Sequence, residues 1–532
     1  MSATRFSDPV REGIAGGWNV IDASGLARDV TLEADVAIVG TGAGGGIAAE
    51  TLSDAGLRVV LVEEGPLRSS ADFRMREADA YRDLYQESAA RKTADKAINI
   101  LQGRCVGGGT TVNWTSSFRT PAATLAHWAS AHGVAGFGAD DLAPWFERVE
   151  SRLGVAPWTI APNANNAALA RGAAKLGIGW GAIRRNVKGC WNLGYCGMGC
   201  PTNAKQSMLV TTIPRALAQG ASLVTRARAL RLVPKGERVE ALECAAMNAQ
   251  GTAPTARRIH VRARMFVSAA GAIGTPALLL RSRLPDPYAT VGIRTFLHPT
   301  VVSAALMTTP VEGYAGAPQT VYSDHFMDTP AGGPIGFKVE APPIHPVLAA
   351  ITLPGHGAAH AAWMRRLPNM QVLIALLRDG FHEQSQGGRV RLAGDGTPIL
   401  DYPLTPYVFE GVRRAMSAMA EIQFAAGATS VMPVHDEGDG YASLAAAQAA
   451  IAAFDLRPHA TTVVSAHVMG GCTLGPDPRS SVVDSTGRHH HVENLHVVDG
   501  SLFPTSIGAN PQLTIYAIGA RLASGIARRL RT

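Results

Sequence analysis

The stretch ADVAIVGTGAGGGIAAETLSDAGLRVVLVEEGP, residues 34–66, constrains the fold more than any other part of the chain. Asp35 to Val39 is a short β-rich run, and Gly40, Gly42 and Gly45 supply GxGxxG before GIAAETLSDAG, whose small residues let a helix pack closely on a strand. A turn with so little side chain, including Ala43 and Gly44, brings backbone against a pyrophosphate whose charge faces the helix amino terminus. LRVVLVE reads as the second strand. Glu63 falls 63 − 45 = 18 residues after the third glycine, where an acid accepts hydrogen bonds from a ribose, and Glu64 follows it. Strand, turn, helix, strand and acid together predict an α/β, Rossmann-like dinucleotide domain. They do not separate NAD from FAD.

At 532 residues and 46% hydrophobic, the chain exceeds what one core usually supports, so at least two domains are expected. The net charge of +7 is spread thinly and suits anionic ligands or a peripheral contact with acidic membrane surfaces. Arg226, Arg228 and Arg231, and Arg528, Arg529 and Arg531, read as solvated faces and a basic tail. Nucleic acid is not expected as a partner, because no aromatic-interleaved basic stripe accompanies them. The opening MSATRFSDPVREG lacks the apolar core of a signal peptide, which makes cytoplasmic residence the expectation. From Ala341 to Met364 there is no formally charged residue, but Pro342, Pro343, Pro346 and Pro354 break the run. It therefore reads as an apolar lid or channel wall, with an ordinary packed loop as the alternative. Cys190, Cys196 and Cys200 lie close together in CWNLGYCGMGCP, with Cys105, Cys244 and Cys472 scattered elsewhere. Three local thiols fall short of the usual four-ligand cluster, so structural thiols rank first, a disulfide second and a metal third, and no metal site is assigned.

A second glycine-rich stretch, GRCVGGGTTVNW, runs from Gly103 to Trp114, and its consecutive glycines let backbone press on a flat or phosphorylated ligand. With this stretch, the amino-terminal fingerprint, VSAAGAIGTPALLLRS (residues 267–282), and HVMGGCTLG through NLHVVDGSLFPTSIGANPQLTIYAIGARLA, the chain resembles the glucose-methanol-choline (GMC) oxidoreductases. CGMGCPTNAKQSMLVTTIPRAL is similar to the branch of long-chain alcohol oxidases and bacterial relatives. The resemblance implies FAD and the oxidation of an alcohol. It also implies flavin contacts from Arg104, Val106, Gly108, Gly109, Thr110, Asn113 and Trp114, and contacts to the ribityl and pyrophosphate portion from Asp499 and Gly500. Backbone around Leu230 is expected at the adenine, and Pro511 and Gln512 beside the flavin. Some members attach FAD through a histidine in the glycine loop; residues 103–114 contain none, so non-covalent FAD is expected.

Oxidising an alcohol requires a group that takes the hydroxyl proton, and a neutral imidazole suits that task. Composition alone makes His467, in VVSAHVMGGCTLG, a core histidine; its match to the family's first active-site histidine makes it the candidate base. The second active-site position is histidine in many members and asparagine in others, cholesterol oxidases among them, and here it is Asn510. Pro511 holds Asn510 extended at the mouth of the helix PQLTIYAIGARLA, where helix capping is the rival role. An amide is no base at neutral pH, so Asn510 is read as donating to the alcohol oxygen. His298, in FLHPT, reads as structural, and His489, His490 and His491 as a turn without ligands.

The expected architecture is a discontinuous FAD-binding domain of residues 1–125, 190–300 and 460–532. Residues 126–189 and 301–459 form a substrate domain and lid, built on a β-sheet covered by helices. Within the latter, GRVRLAGDGTPILDYPLT predicts paired strands, and YVFEGVRRAMSAMAEIQFAAG and YASLAAAQAAIAAF predict helices. The apolar lid favours a lipophilic primary alcohol as substrate, with oxygen or a quinone or cytochrome as the open choice of acceptor. A sterol oxidase is the alternative within the family; outside it stand an NAD-dependent dehydrogenase and a non-catalytic flavin- or metal-binding protein.

Overall fold

The computed structural model describes residues 7–329 and 332–531, so the signal-peptide reading of the first residues falls partly on residues 1–6, outside the described residues. The strand Val30–Val39 lies inside an eight-stranded sheet, parallel to Val59–Val62 on one side and to Pro254–Ser268 on the other. Ser222–Thr225 and Asn19–Asp22 continue the first side in parallel, Leu495–Val497 joins the second, and Arg238–Met247 and Ala227–Lys235 extend it as an antiparallel ribbon. Strands covered on both faces need unbroken apolar runs, and Val36 to Val39 and Val59 to Val62 are all buried. Because neighbours of Val30–Val39 leave in opposite directions, the winding reverses at its carboxyl end. That crevice is where open α/β sheets bind ligands. The helix Ala43–Asp54 starts there and packs on the carboxyl-terminal helix Gln512–Arg531.

A second eight-stranded sheet runs in the order Ile98–Ile100, Val463–Ser465, Thr300–Leu306, Met370–Leu377, Phe337–Glu340, Val321–Ser323, Gly181–Ala182, with Ser430–Pro433 also pairing Thr300–Leu306. The two-residue period of a strand divides Met370–Leu377. Leu373, Ala375 and Leu377 share a core with the helices Pro406–Ala425 and Ala164–Lys175, whereas Met370, Val372, Ile374 and Leu376 form the opposite face with the uncharged segment. The predicted hairpin is present as Gly388–Leu392 and Pro398–Asp401, and YASLAAAQAAIAAF contains the helix Leu444–Ala453. That hairpin belongs to a four-stranded sheet with Ile293–Leu297 and Val468–Gly470, not to the large sheet.

Packing departs from the expected division of the chain in two places. The helix Ala139–Leu153, read with the substrate unit, puts Leu142, Phe146, Val149 and Leu153 into the core of the nucleotide sheet, against Gln512–Arg531. An i, i+4, i+7 stripe fits any apolar face, and its partner here lies far along the chain. Conversely, Ile98–Ile100 and Val463–Ser465, read with the nucleotide unit, are strands of the second sheet. Among the described residues no helix is long and apolar enough to cross a membrane.

Candidate active site

A cavity of about 1430 Å³ runs from the glycine turn to the second sheet and the uncharged segment. Small-molecule sites commonly occupy ~300–1,000 Å³, so this one has room for a dinucleotide and a substrate together. At the nucleotide end, Gly40 (φ +95°) makes the turn, and Gly44 sits so close to Val498 that an added Cβ would lie 1.7 Å from its carbonyl oxygen. The second glycine loop abuts the first, since a Cβ on Gly108 would lie 2.8 Å from Gly42 Cα. Gly107 N–H donates to Thr41 Oγ1 (3.0 Å), whose hydroxyl donates to Glu63 Oε2 (2.6 Å). Glu63 also accepts from Gly65 N–H (2.9 Å), and burial raises its carboxyl above the ordinary range. No side chain caps the helix Ala43–Asp54, which leaves first-turn amides free for a phosphate. These features fit FAD: a close-packed backbone cradle, an uncapped helix and a buried acid just past the strand Val59–Val62.

Further along, the strand Ala227–Lys235 carries a β-bulge: Ala229 pairs with Cys244 and Arg231 with Glu243, so Leu230 is left out of the ladder, on the cavity wall. Its carbonyl accepts from Arg281 Nε (3.0 Å), while Arg228 Nη2 pairs with Glu64 (2.9 Å) nearby. The Asp499 carboxylate is turned into the protein, where it accepts from Ser501 N–H (2.8 Å), Gly271 N–H (2.9 Å) and the hydroxyls of Ser501 and Thr275. Asn113 Nδ2 donates to Gln512 Oε1 (2.7 Å), and Gln512 Nε2 donates to the Ser116 carbonyl (2.7 Å), tying the glycine loop to the last helix. The residues named from sequence line this cavity with two exceptions. Val106 is fully buried behind the wall, and Gly45 serves packing, its would-be Cβ lying 2.0 Å from the Gly40 carbonyl oxygen.

His467 and Asn510 line the same cavity. His467 stands between Val463–Ser465, of the large sheet, and Val468–Gly470, of the small one; His298 occupies the matching crossing between Ile293–Leu297 and Thr300–Leu306. Leu297 pairs with Val468 and Thr300 with Val464, which brings the two imidazoles face to edge. Their Nδ1 atoms are 2.9 Å apart, and Gly508 N–H donates to His298 Nε2 (3.1 Å). His298, read as structural, is thus the direct partner of His467, and its own contact lies two residues before Asn510. Burial lowers His467 to about 4 and takes His298 well below an ordinary imidazole, with repulsion from His467 and Lys338 adding to the latter.

Asn510 caps no helix. Its Nδ2 donates to Glu340 Oε2 (3.4 Å), and its Oδ1 is buried without a hydrogen-bond partner, so no helix amide is bound by it. Glu340 also accepts from Gln319 Nε2 (2.7 Å) and is raised to about 7 by burial, against the pull of Lys338. Sequence reasoning missed this carboxyl. The signal was FKVE, a strand with polar residues at alternate positions that the structure buries completely. Lys205 was also missed: its buried ammonium donates to the carbonyls of Thr111, Asn113 (3.1 Å) and Cys196 (2.7 Å), pinning the second glycine loop to the cysteine loop. Cys190, Cys196 and Cys200 are free thiols, so the disulfide alternative finds no pair here. The uncharged segment supplies the outer wall through Ile344, Val347, Leu348, Ile351 and Leu353, facing Val372, Ile374 and Leu376 of the sheet.

Residues 81–300 and 383–519 match the two family models described as GMC oxidoreductase. The chain is 32% identical over 495 residues to an uncharacterised GMC-type oxidoreductase of Mycobacterium tuberculosis, covering 92% of this chain and 75% of that one. A long-chain-alcohol oxidase of Arabidopsis thaliana is 27% identical over 524 residues, 94% of this chain and 68% of its own. Among solved structures, pyridoxine 4-oxidase from Mesorbium loti superposes with a TM-score of 0.67 at 22% identity, over 92% of this chain and 98% of its own, a likeness that speaks for the fold. The chain belongs to the GMC oxidoreductase family. It is an FAD-dependent oxidoreductase acting on CH–OH donors.

Proposed function

We propose that this enzyme oxidises a lipophilic primary alcohol to the aldehyde, with FAD held non-covalently and oxygen as the electron acceptor. The observation that carries the reading is one cavity that joins the glycine cradle to His467 and Asn510 and then to an uncharged wall. Glu63, the first-turn amides of Ala43–Asp54, Leu230 and the loop ending at Asn113 and Trp114 would hold the cofactor, which supplies a hydride acceptor when bound. The glycine loop offers no histidine for covalent attachment, and its one thiol, Cys105, is buried and pushed up to about 12. His467 meets the hydroxyl through Nε2, its Nδ1 being taken by His298, and when that Nε2 is without hydrogen it receives the hydroxyl proton as the carbon-bound hydrogen leaves. Asn510, fixed by Glu340, keeps a second Nδ2 hydrogen for the alcohol oxygen. Burial keeps His467 uncharged, the state needed in a proton acceptor.

Apolar side chains on both sides of the outer cavity suit an alkyl or terpenoid chain better than a sugar. The names of the Arabidopsis relatives, long-chain-alcohol oxidases, agree with that class and with oxygen as acceptor. A cytoplasmic setting with at most a peripheral lipid contact is part of the proposal, to be tested by cell fractionation. The test of function is aldehyde production from an alcohol panel with oxygen or a quinone admitted in turn. Turnover rising with chain length and coupled to oxygen supports the reading. Oxidation of sugars or sterols but not of alkanols refutes the substrate class, and turnover with quinone alone refutes the acceptor.

A further inference from the structure

Two imidazoles that meet nitrogen to nitrogen must share their hydrogens, and here a backbone amide decides how. Gly508 N–H donates to His298 Nε2 at 3.1 Å, so that nitrogen carries a lone pair and no hydrogen. Neutral His298 therefore bears its hydrogen on Nδ1, pointing at His467 Nδ1 only 2.9 Å away. His467 Nδ1 is then the acceptor, which puts the hydrogen of neutral His467 on Nε2, the nitrogen left for the cavity. Protonating His467 would set two N–H groups against each other. The groups around the pair do nothing to relieve this: Lys338 repels charge on His298, Arg378 packs against Gly508, and Glu340 is engaged with Asn510.

We propose that His298, held in its Nδ1–H form by the Gly508 amide, is a positioning residue that keeps His467 uncharged with its hydrogen on the cavity nitrogen, and that His467 can take the hydroxyl proton only after the Gly508 peptide turns away. Reaching the accepting form breaks two N–H bonds and makes two. His467 Nε2 gives its hydrogen to water in the cavity and is left bare, while His298 Nδ1 passes its hydrogen across the 2.9 Å contact to His467 Nδ1. His298 Nε2, once the Gly508 amide has left it, takes a hydrogen from water. In the resting arrangement a hydrogen on His298 Nε2 would collide with Gly508 N–H. In the accepting form the alcohol O–H bond breaks, a new N–H forms on His467 Nε2, and the pair becomes a monocation. Gly508 has φ +74°, in the left-handed region where glycine is at home, and it lies two residues before Asn510. One peptide thus connects the proton state of His467 to the loop carrying the second active-site residue.

The tautomer claim stands apart from the proposed reaction; the gating claim rests on it. The first test is nitrogen NMR of the FAD-bound enzyme labelled in its histidine rings, with His467 assigned by its loss in His467→Gln. The expected spectrum shows the Nε2–H tautomer of His467, uncharged at about pH 6, where a free imidazole is largely protonated. A His467 hydrogen on Nδ1, or a cationic ring at that pH, overturns the proposal. The second test is the pH dependence of anaerobic flavin reduction by a primary alkanol in His298→Asn, whose carbonyl can accept from a charged His467. Its acid limb is expected to move up by about one pH unit or more relative to the parent enzyme. A rate lowered equally at every pH, with the limb unmoved, means His298 is only structural and overturns the proposal. If no alcohol reduces the flavin, the functional reading fails and the NMR result alone decides the tautomer.

Discussion

Replacing Glu340 by glutamine keeps the shape of the side chain and removes a buried charge, and the consequence can be worked out from its surroundings. Burial raises this carboxyl from 4.5 to about 7 in the folded chain, even though Lys338, Asn510 and Gln319 all favour the charged form. Between those values the folded protein holds a proton that the unfolded chain has lost, so stability falls as pH rises, and the full cost is present above the folded value. The difference, 7 − 4.5 = 2.5, corresponds to roughly 3 kcal/mol at about 1.4 kcal/mol per pH unit. Glutamine pays none of this, and Lys338 keeps its ion pair with Asp324. Denaturant unfolding of the FAD-bound proteins at a pH near the ordinary carboxyl value and at one well above neutral is expected to show Glu340→Gln gaining on the parent by about 3 kcal/mol across the interval. A gap between the two proteins that does not change with pH would refute the claim that Glu340 is buried at the expense of its charge.

Removing the imidazole in His467→Ala is expected to slow anaerobic flavin reduction by about 10²- to 10⁴-fold with flavin content unchanged, measured by stopped-flow absorbance. Gly44→Ala forces a methyl onto the Val498 carbonyl oxygen, 1.7 Å from its ideal position; a loss of about 3 kcal/mol or more is expected, read as lower thermal stability and depleted FAD. On the outer wall, each methylene of substrate buried is worth about 0.8 kcal/mol, close to fourfold in kcat/KM. Val347→Ser with Ile351→Ser, both exposed lining residues, is expected to flatten that chain-length dependence in steady-state assays while leaving the shortest alcohols unaffected.

The parts of the molecule that could be read in the sequence are those whose physics is local. Residues 34–66 form strand, turn, helix and strand within one short stretch, so the turn and Glu63 were readable there. The uncharged segment could be read as a lid or wall, with a packed loop left open beside it, because Pro342, Pro343, Pro346 and Pro354 make a poor membrane helix of an apolar run. Long-range approach could not be read: Gly44 matters because Val498 comes to it from the other end of the chain, and GxGxxG spacing points to Gly45 instead. His298 looked structural because nothing near it in sequence shows that Leu297 pairs with Val468 and so delivers it to His467. Glu340 and Lys205 are silent for the same reason, since each gains its role from partners on distant segments. The helix Ala139–Leu153 shows the limit of amphipathic patterns, which reveal a buried face but not the core it enters.

If the His467 imidazole and the Asn510 carboxamide act together on an alcohol over one flavin, the alcohol itself must reduce that flavin. The most direct test is anaerobic mixing of the purified, FAD-bound enzyme with a long-chain primary alcohol, followed by flavin absorbance, using substrate carrying either hydrogen or deuterium on the reacting carbon. Complete bleaching in a single exponential phase, several-fold slower with deuterium, is expected. Flavin that stays oxidised with every alcohol, or is reduced at a rate indifferent to both deuterium and the loss of His467, would contradict that joint action.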